Sequence, residues 1–136
     1  MRDIRVRGDR LCESLLSLAQ IGATPKGGVC RLALTDLDKQ GRQWVINKAL
    51  ALGLTVTTDQ IGNTFMRRPG SNPKLAPIMT GSHIDTQPTG GKYDGNYGVL
   101  AGLEVWVKVS PTGAPWISLT PAITKPTSPA LNVSIS

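Results

Sequence analysis

Apolar positions along the chain change spacing from segment to segment, and the spacing predicts the elements. Leu11, Leu15 and Leu18 recur at i, i+4 and i+7, one apolar helix face, with Asp9 as the expected N-cap and Gly22 as the stop. Thr24 to Val29, with Pro25, Gly27 and Gly28, reads as a loop. Thr35 opens a second helix, with Asp38 placed as in a capping box. Its stripe is Leu37, Gly41, Trp44, Val45, Lys48 and Leu52, and Gly53 suits the C′ stop. Leu54, Val56 and Thr58 alternate as a strand, Ile61-Gly62-Asn63 turns the chain, and Thr64 to Arg68 returns, which predicts a hairpin. Pro77 to Ser82 is a short apolar run, expected as a buried strand, apolar on both faces, with a neighbour on each side. Val99 to Val109 returns to helical spacing, with Gly98 near its start.

After Val105 the character changes. Pro111, Pro115, Pro121, Pro126 and Pro129 fall in this stretch, with nine Ser/Thr and no acid. Neither the strand period nor the helix period is evident there. Such a segment buries too little apolar surface to offset its ordering entropy, so disorder is expected. It is also expected to be too rich in proline to supply a central strand.

Composition narrows the class. The chain has 136 residues, the size of one domain, with 40% hydrophobic and 18% charged residues, which excludes an acidic disordered tail. Aromatics are only 4%, so the core is expected to be aliphatic. The net charge of +6 is dispersed: Arg2, Arg5, Arg7 and Arg10 are interrupted by Asp3 and Asp9, and no aromatics interleave as stacking platforms. A solvated basic surface is favoured over a nucleic-acid partner. Cys12 and Cys30 have no CxxC spacing, which points to reduced thiols and a cytoplasmic protein. No apolar run reaches the ~18 residues of a membrane span. Leu11 to Ala23 superficially resembles a signal segment, but Glu13 and Gln20 interrupt it, so the mature chain is expected to start at or near Met1.

The chemistry concentrates in GSHIDTQPTGGKYDGNYGVLAGLE, Gly81 to Glu104. His83, the only histidine, follows the expected buried strand at its C-terminal end, where open α/β sheets place ligands. In extended chain Asp85 shares a face with His83 and can accept a hydrogen bond from the ring nitrogen that does not bind metal. Asp94 lies nine residues beyond Asp85, past Pro88, Gly90 and Gly91, and precedes Gly95 and a helix start. A carboxylate there could bridge two metals. Taken alone these signals are modest: a single histidine is more often a surface or core residue than a ligand, and Asp before Gly is more often a turn former.

The segment resembles the first metal-binding motif of the zinc-dependent amidohydrolases of the hydantoinase/carbamoylase type, which include N-carbamoyl-L-amino acid hydrolase, β-ureidopropionase and allantoate amidohydrolase. TQPTGGKYDG is similar to the carbamoylase branch rather than to the related peptidases. So is the upstream RLALTDLDKQGRQWVINKALALGLTVTTDQIGNTFMRRPG. The resemblance covers roughly Ile4 to Val105. It implies an α/β fold, the N-terminal part of a di-zinc aminopeptidase-like catalytic domain. It further implies His83 as a ligand of one zinc (or manganese), Asp94 as the bridging ligand, Asp85 as the catalytic partner that orients His83, and Gln87, more weakly, as facing substrate. The implied substrate is a small ureido acid, and the family is homodimeric.

The chain departs from that pattern downstream. The family continues with a Glu-Glu pair, holding the general base and a metal ligand, then further histidine ligands and a dimerisation domain. Here the only acid after Asp94 is Glu104. A catalytic zinc needs about three protein ligands and an open position. The expectation is a partial catalytic domain over residues 1–105 and a divergent tail over 106–136, inactive alone, with no nucleic-acid or membrane partner. The alternatives are a non-catalytic remnant and a small basic nucleic-acid-binding module.

Overall fold

A computed structural model describes residues 5–70, 72–109 and 130–135. Helix α1 (Gly8–Leu18) buries Leu11, Leu15 and Leu18, as their spacing requires. Its N-cap is Arg7, not Asp9. The Asp9 carboxylate is taken by the Arg7 guanidinium, and it sits inside the first turn, where the helix dipole favours an acid. Helix α2 (Asp36–Ala51) is capped as its sequence predicts: Thr35 Oγ1 accepts from the Asp38 amide. At its end Gly53 N–H reaches Leu50 O at 2.9 Å and Leu54 N–H reaches Ala49 O at 3.1 Å, a Schellman closure with Gly53 at C′. The buried residues are Asp38, Gly41, Val45 and Ala49, and Trp44 and Leu52 of the expected stripe pack partly buried against the core; at the N-terminal end Asp38 is buried and Leu37 stays at the surface.

Strands β1 (Thr55–Thr58) and β2 (Thr64–Pro69) form the expected antiparallel hairpin, with Thr55 opposite Arg67 and Thr58 opposite Thr64. Strand β3 (Met79–Ser82) and helix α3 (Asn96–Val109) follow. The strand is shorter than the apolar run that predicts it. Thr80 is buried while Met79, Gly81 and Ser82 are half-buried, so it is not apolar on both faces. Its contribution to the core is small because Ile78, just before the strand, is exposed and Met79 is only half-buried.

The tail corrects the expectation most sharply. Residues Ala130–Ile135 form β4, which lies between β2 and β3 in the order β1-β2-β4-β3. It runs antiparallel to β2, with Thr64 opposite Ile135, and parallel to β3, with Met79 opposite Asn132. Proline crowds the tail, but these six residues contain none, and Leu131, Val133 and Ile135 alternate with Asn132 and Ser134. The expectation of disorder over residues 110–129 lies outside the described residues.

One core cluster joins the elements: Leu11, Leu15 and Leu18 of α1, Val45 and Ala49 of α2, Leu54, Met66 of β2, Ile84, and Val99, Leu100, Leu103 and Trp106 of α3. Arg10 of α1 reaches across to α3, where Glu104, 4% exposed, accepts its Nε at 2.7 Å and its Nη2 at 2.6 Å. The mixed α/β arrangement is the expected fold class. No helix among the described residues is long and apolar enough to cross a membrane.

Candidate functional site

The site forms where the chain leaves β3. From His83 to Thr86 inward and outward positions alternate: Ile84 and Thr86 are buried, while His83 and Asp85 face out with side chains 41% and 35% exposed. His83 Nδ1 lies 3.0 Å from Asp85 O and 3.2 Å from Asp85 Oδ1. Two acceptors on one ring nitrogen place the proton on Nδ1 and leave the Nε2 lone pair for a ligand. The geometry that i, i+2 spacing predicts for His83 and Asp85 is therefore present.

Asp94 is exposed and reaches this corner through its neighbour. Gly95 has φ +69°, and Asn96 N–H bonds to Asp94 O at 2.7 Å, a three-residue turn that starts α3. A Cβ on Gly95 would stand 2.3 Å from His83 O and 2.6 Å from His83 Nδ1, so this position admits no side chain and the backbone after Asp94 rests on His83. Further along α3, Gly98 and Gly102 lie against Ser82 and Thr80 in the same way, which seats the helix directly on β3. That glycine spacing of i, i+3, i+7 was a readable sequence signal for close helix–strand packing.

Gln87 is exposed on the next loop, and its carbonyl accepts from Gly90 N–H at 3.2 Å and from the Thr86 hydroxyl at 2.9 Å. Gly90 in turn pairs with Val29 in both directions, at 2.9 and 3.0 Å, tying this loop to the one before α2.

Beneath the corner lies a residue that pattern reading passes over. Arg31 is fully buried. Its Nε donates to Ile84 O at 2.9 Å, Nη1 to Leu18 O at 3.1 Å and Ile21 O at 2.7 Å, and Nη2 to Asn96 Oδ1 at 3.0 Å. Burial lowers its pKa from the ordinary arginine value, opposed by the nearby charges of Asp38 and Asp85. No period or motif marks Arg31; only the fold shows it.

Among the described residues the donors do not complete a metal centre. Among the described residues no group of three or more His, Cys, Asp and Glu side chains gathers. Cys12 and Cys30 are free thiols, exposed and half-buried respectively, and are not drawn into the corner. Glu104 is engaged with Arg10 eight residues beyond the start of α3, about 12 Å along the helix axis, and so stands away from the His83 corner.

No protein-family model matches the chain. Individual proteins do. It is 48% identical over 100 residues to the N-carbamoyl-L-amino-acid amidohydrolase of Rhizobium meliloti, covering 74% of this chain and 24% of that protein. It is 43% identical over 99 residues to the allantoate amidohydrolase of Bacillus subtilis (strain 168), covering 72% of this chain and 24% of that one. Among solved structures, a hydantoinase/carbamoylase family amidase from Burkholderia multivorans superposes with a TM-score of 0.83 and 51% identity, over 98% of this chain and 30% of that one. The chain thus spans about a quarter of the length of the curated relatives it matches.

Proposed function

We propose that this chain, an N-terminal piece of the hydantoinase/carbamoylase type of amidohydrolase, carries one wall of a reaction centre for hydrolysing non-peptide C–N bonds in N-carbamoyl amino acids or related ureido acids. The observation that carries the reading is the His83–Asp85 pair: Nδ1 is held at 3.0 and 3.2 Å, which leaves Nε2 free to ligate. Asp94, whose following residue Gly95 packs against His83, is proposed to supply a carboxylate. Zinc is the metal this donor set suits, since imidazole and carboxylate are common zinc ligands. Two donors fall short of the about three that a catalytic zinc needs, so no step of hydrolysis is routed through a metal on this chain. Alone, it is proposed to be inactive.

A chimaera tests the reading. Residues 5–105 replace the matching segment of the Rhizobium meliloti relative, and hydrolysis of N-carbamoyl amino acids is followed with added zinc or manganese. Turnover in the chimaera, its loss in His83→Ala, and background rates for the isolated chain are the expected results. A chimaera that folds yet shows no turnover, or one that keeps turnover without His83, overturns the reading.

A further inference from the structure

Four of the five guanidinium N–H groups of Arg31 are spent on acceptors in three separate segments: Ile84 O beside His83, Asn96 Oδ1 beside the Gly95 turn, and Leu18 O and Ile21 O at the end of α1. Its backbone completes the hold. Arg31 N–H donates to Thr86 Oγ1 at 2.7 Å, and Arg31 O accepts from Thr86 N–H at 2.7 Å. Asp85 is thus pinned from both sides by one residue. Ile84 O is tied to the Arg31 side chain and Thr86 to its main chain, while Asp85 itself faces outward and holds His83 Nδ1. A fully buried arginine is expensive, and an apolar side chain would fill the same volume more cheaply unless the polar contacts matter.

We propose that Arg31 is the positioning residue of the His83–Asp85 pair, fixing the backbone on both sides of Asp85 and the start of α3 so that the ring keeps Nδ1–H inward and Nε2 outward. It touches neither a substrate nor a metal and acts through Asp85. The inference rests on the proposed function only for the use to which Nε2 is put.

His83 is the only histidine, so its ring nitrogens can be read alone by 15N NMR. One dominant tautomer gives two widely separated neutral-ring signals, and mixing draws them together. Spectra are taken at mildly alkaline pH. Two variants disturb Arg31 differently. Arg31→Lys removes the fork. Gly41→Ala leaves Arg31 in place but puts a methyl 2.8 Å from its Cδ and 3.0 Å from its Nε, at a helix-interior site that itself favours alanine. In both, the separation of the two signals should shrink. Leu54→Ala, a core loss after α2 and outside the segments that Arg31 holds, should leave the separation at the parent value while lowering the melting temperature. If Arg31→Lys does not fold, Gly41→Ala decides. Parent-like separation in Gly41→Ala, or an equal collapse in Leu54→Ala, overturns the proposal. An inactive chimaera with the ring signals still dependent on Arg31 would sink the proposed function and leave this inference standing.

Discussion

In the β1–β2 hairpin, the bonds that shape the turn are mostly local, the exception being Arg42 Nη1 of α2, which donates to Gly62 O at 3.0 Å. Asp59 Oδ1 accepts from the amides of Ile61 and Asn63, two and four residues on, and Asp59 Oδ2 accepts from the Asn63 side chain. Around His83 the partners of Arg31 stand between 10 and 65 residues away in sequence. A local turn loses its own bonds when one residue changes and leaves the rest of the molecule in place. A shared long-range hub is formed only when several segments are already assembled, so removing it releases all of them together.

The largest expected effect follows from that contrast. Arg31→Met leaves the carbonyls of Ile21 and Ile84 and Asn96 Oδ1 without the guanidinium donor, while Leu18 O keeps the Ile21 amide at 3.1 Å. Each buried polar group left unpaired costs about 1–3 kcal/mol, and with several released at once the loss should exceed about 4 kcal/mol. Urea unfolding followed by circular dichroism measures it. A cost no greater than that of a hairpin variant would erase the distinction between hub and turn.

Gly95→Ala should come next. A methyl group at φ +69° and 2.3 Å from His83 O adds backbone strain of about 1–3 kcal/mol to a displacement of the histidine. Melting temperature and His83 ring signals should both change. A variant that melts lower with unmoved ring signals would show that Gly95 supports α3 without supporting the site.

What the sequence made legible follows the same division. Thr35 and Asp38 of the α2 cap, the Gly53 stop and the hairpin all depend on partners within a few residues, and each stands where its pattern predicts. The His83–Asp85 geometry was legible for the same reason: two residues apart in extended chain, they share a face. Asp9 misled because an exposed arginine two residues back competed for its carboxylate. The tail misled because its prolines were averaged over the whole stretch, hiding six proline-free alternating residues that pair with β2 and β3. Arg31 and Asn96 carried no signal at all, since nothing local distinguishes an arginine that will be buried from one that will be solvated.

Within the hairpin, Gly62→Ala should cost about 1–2 kcal/mol, the penalty for a side chain in the left-handed region, here at φ +93°. Hydrogen exchange should show lost protection at the turn, and the His83 ring signals should match the parent. Ring signals that move with this substitution would show that the two regions are coupled after all.

The smallest effect is electrostatic and also belongs to the turn. The Asn63 side chain, with the amides of Asn63, Ile61 and Gly62, holds the Asp59 carboxyl below its ordinary range. A carboxyl depressed in the folded state binds its proton more readily in the unfolded chain. Its contribution is therefore complete above the ordinary carboxylate pKa and fades as the pH falls through the folded value. The Arg7 side chain depresses Asp9 to about 2 in the same direction, so both groups steepen the acid limb. Asp59→Asn removes the titration but keeps most of the turn's acceptors. Melting temperatures measured between roughly pH 5 and roughly pH 2.5 should fall less steeply in this variant than in the parent, with Asp9 accounting for part of the slope that remains. Identical slopes would mean that the Asp59 bonds persist as well in the unfolded chain as in the hairpin. The turn would then be a feature of the local sequence alone, owing nothing to the sheet it closes.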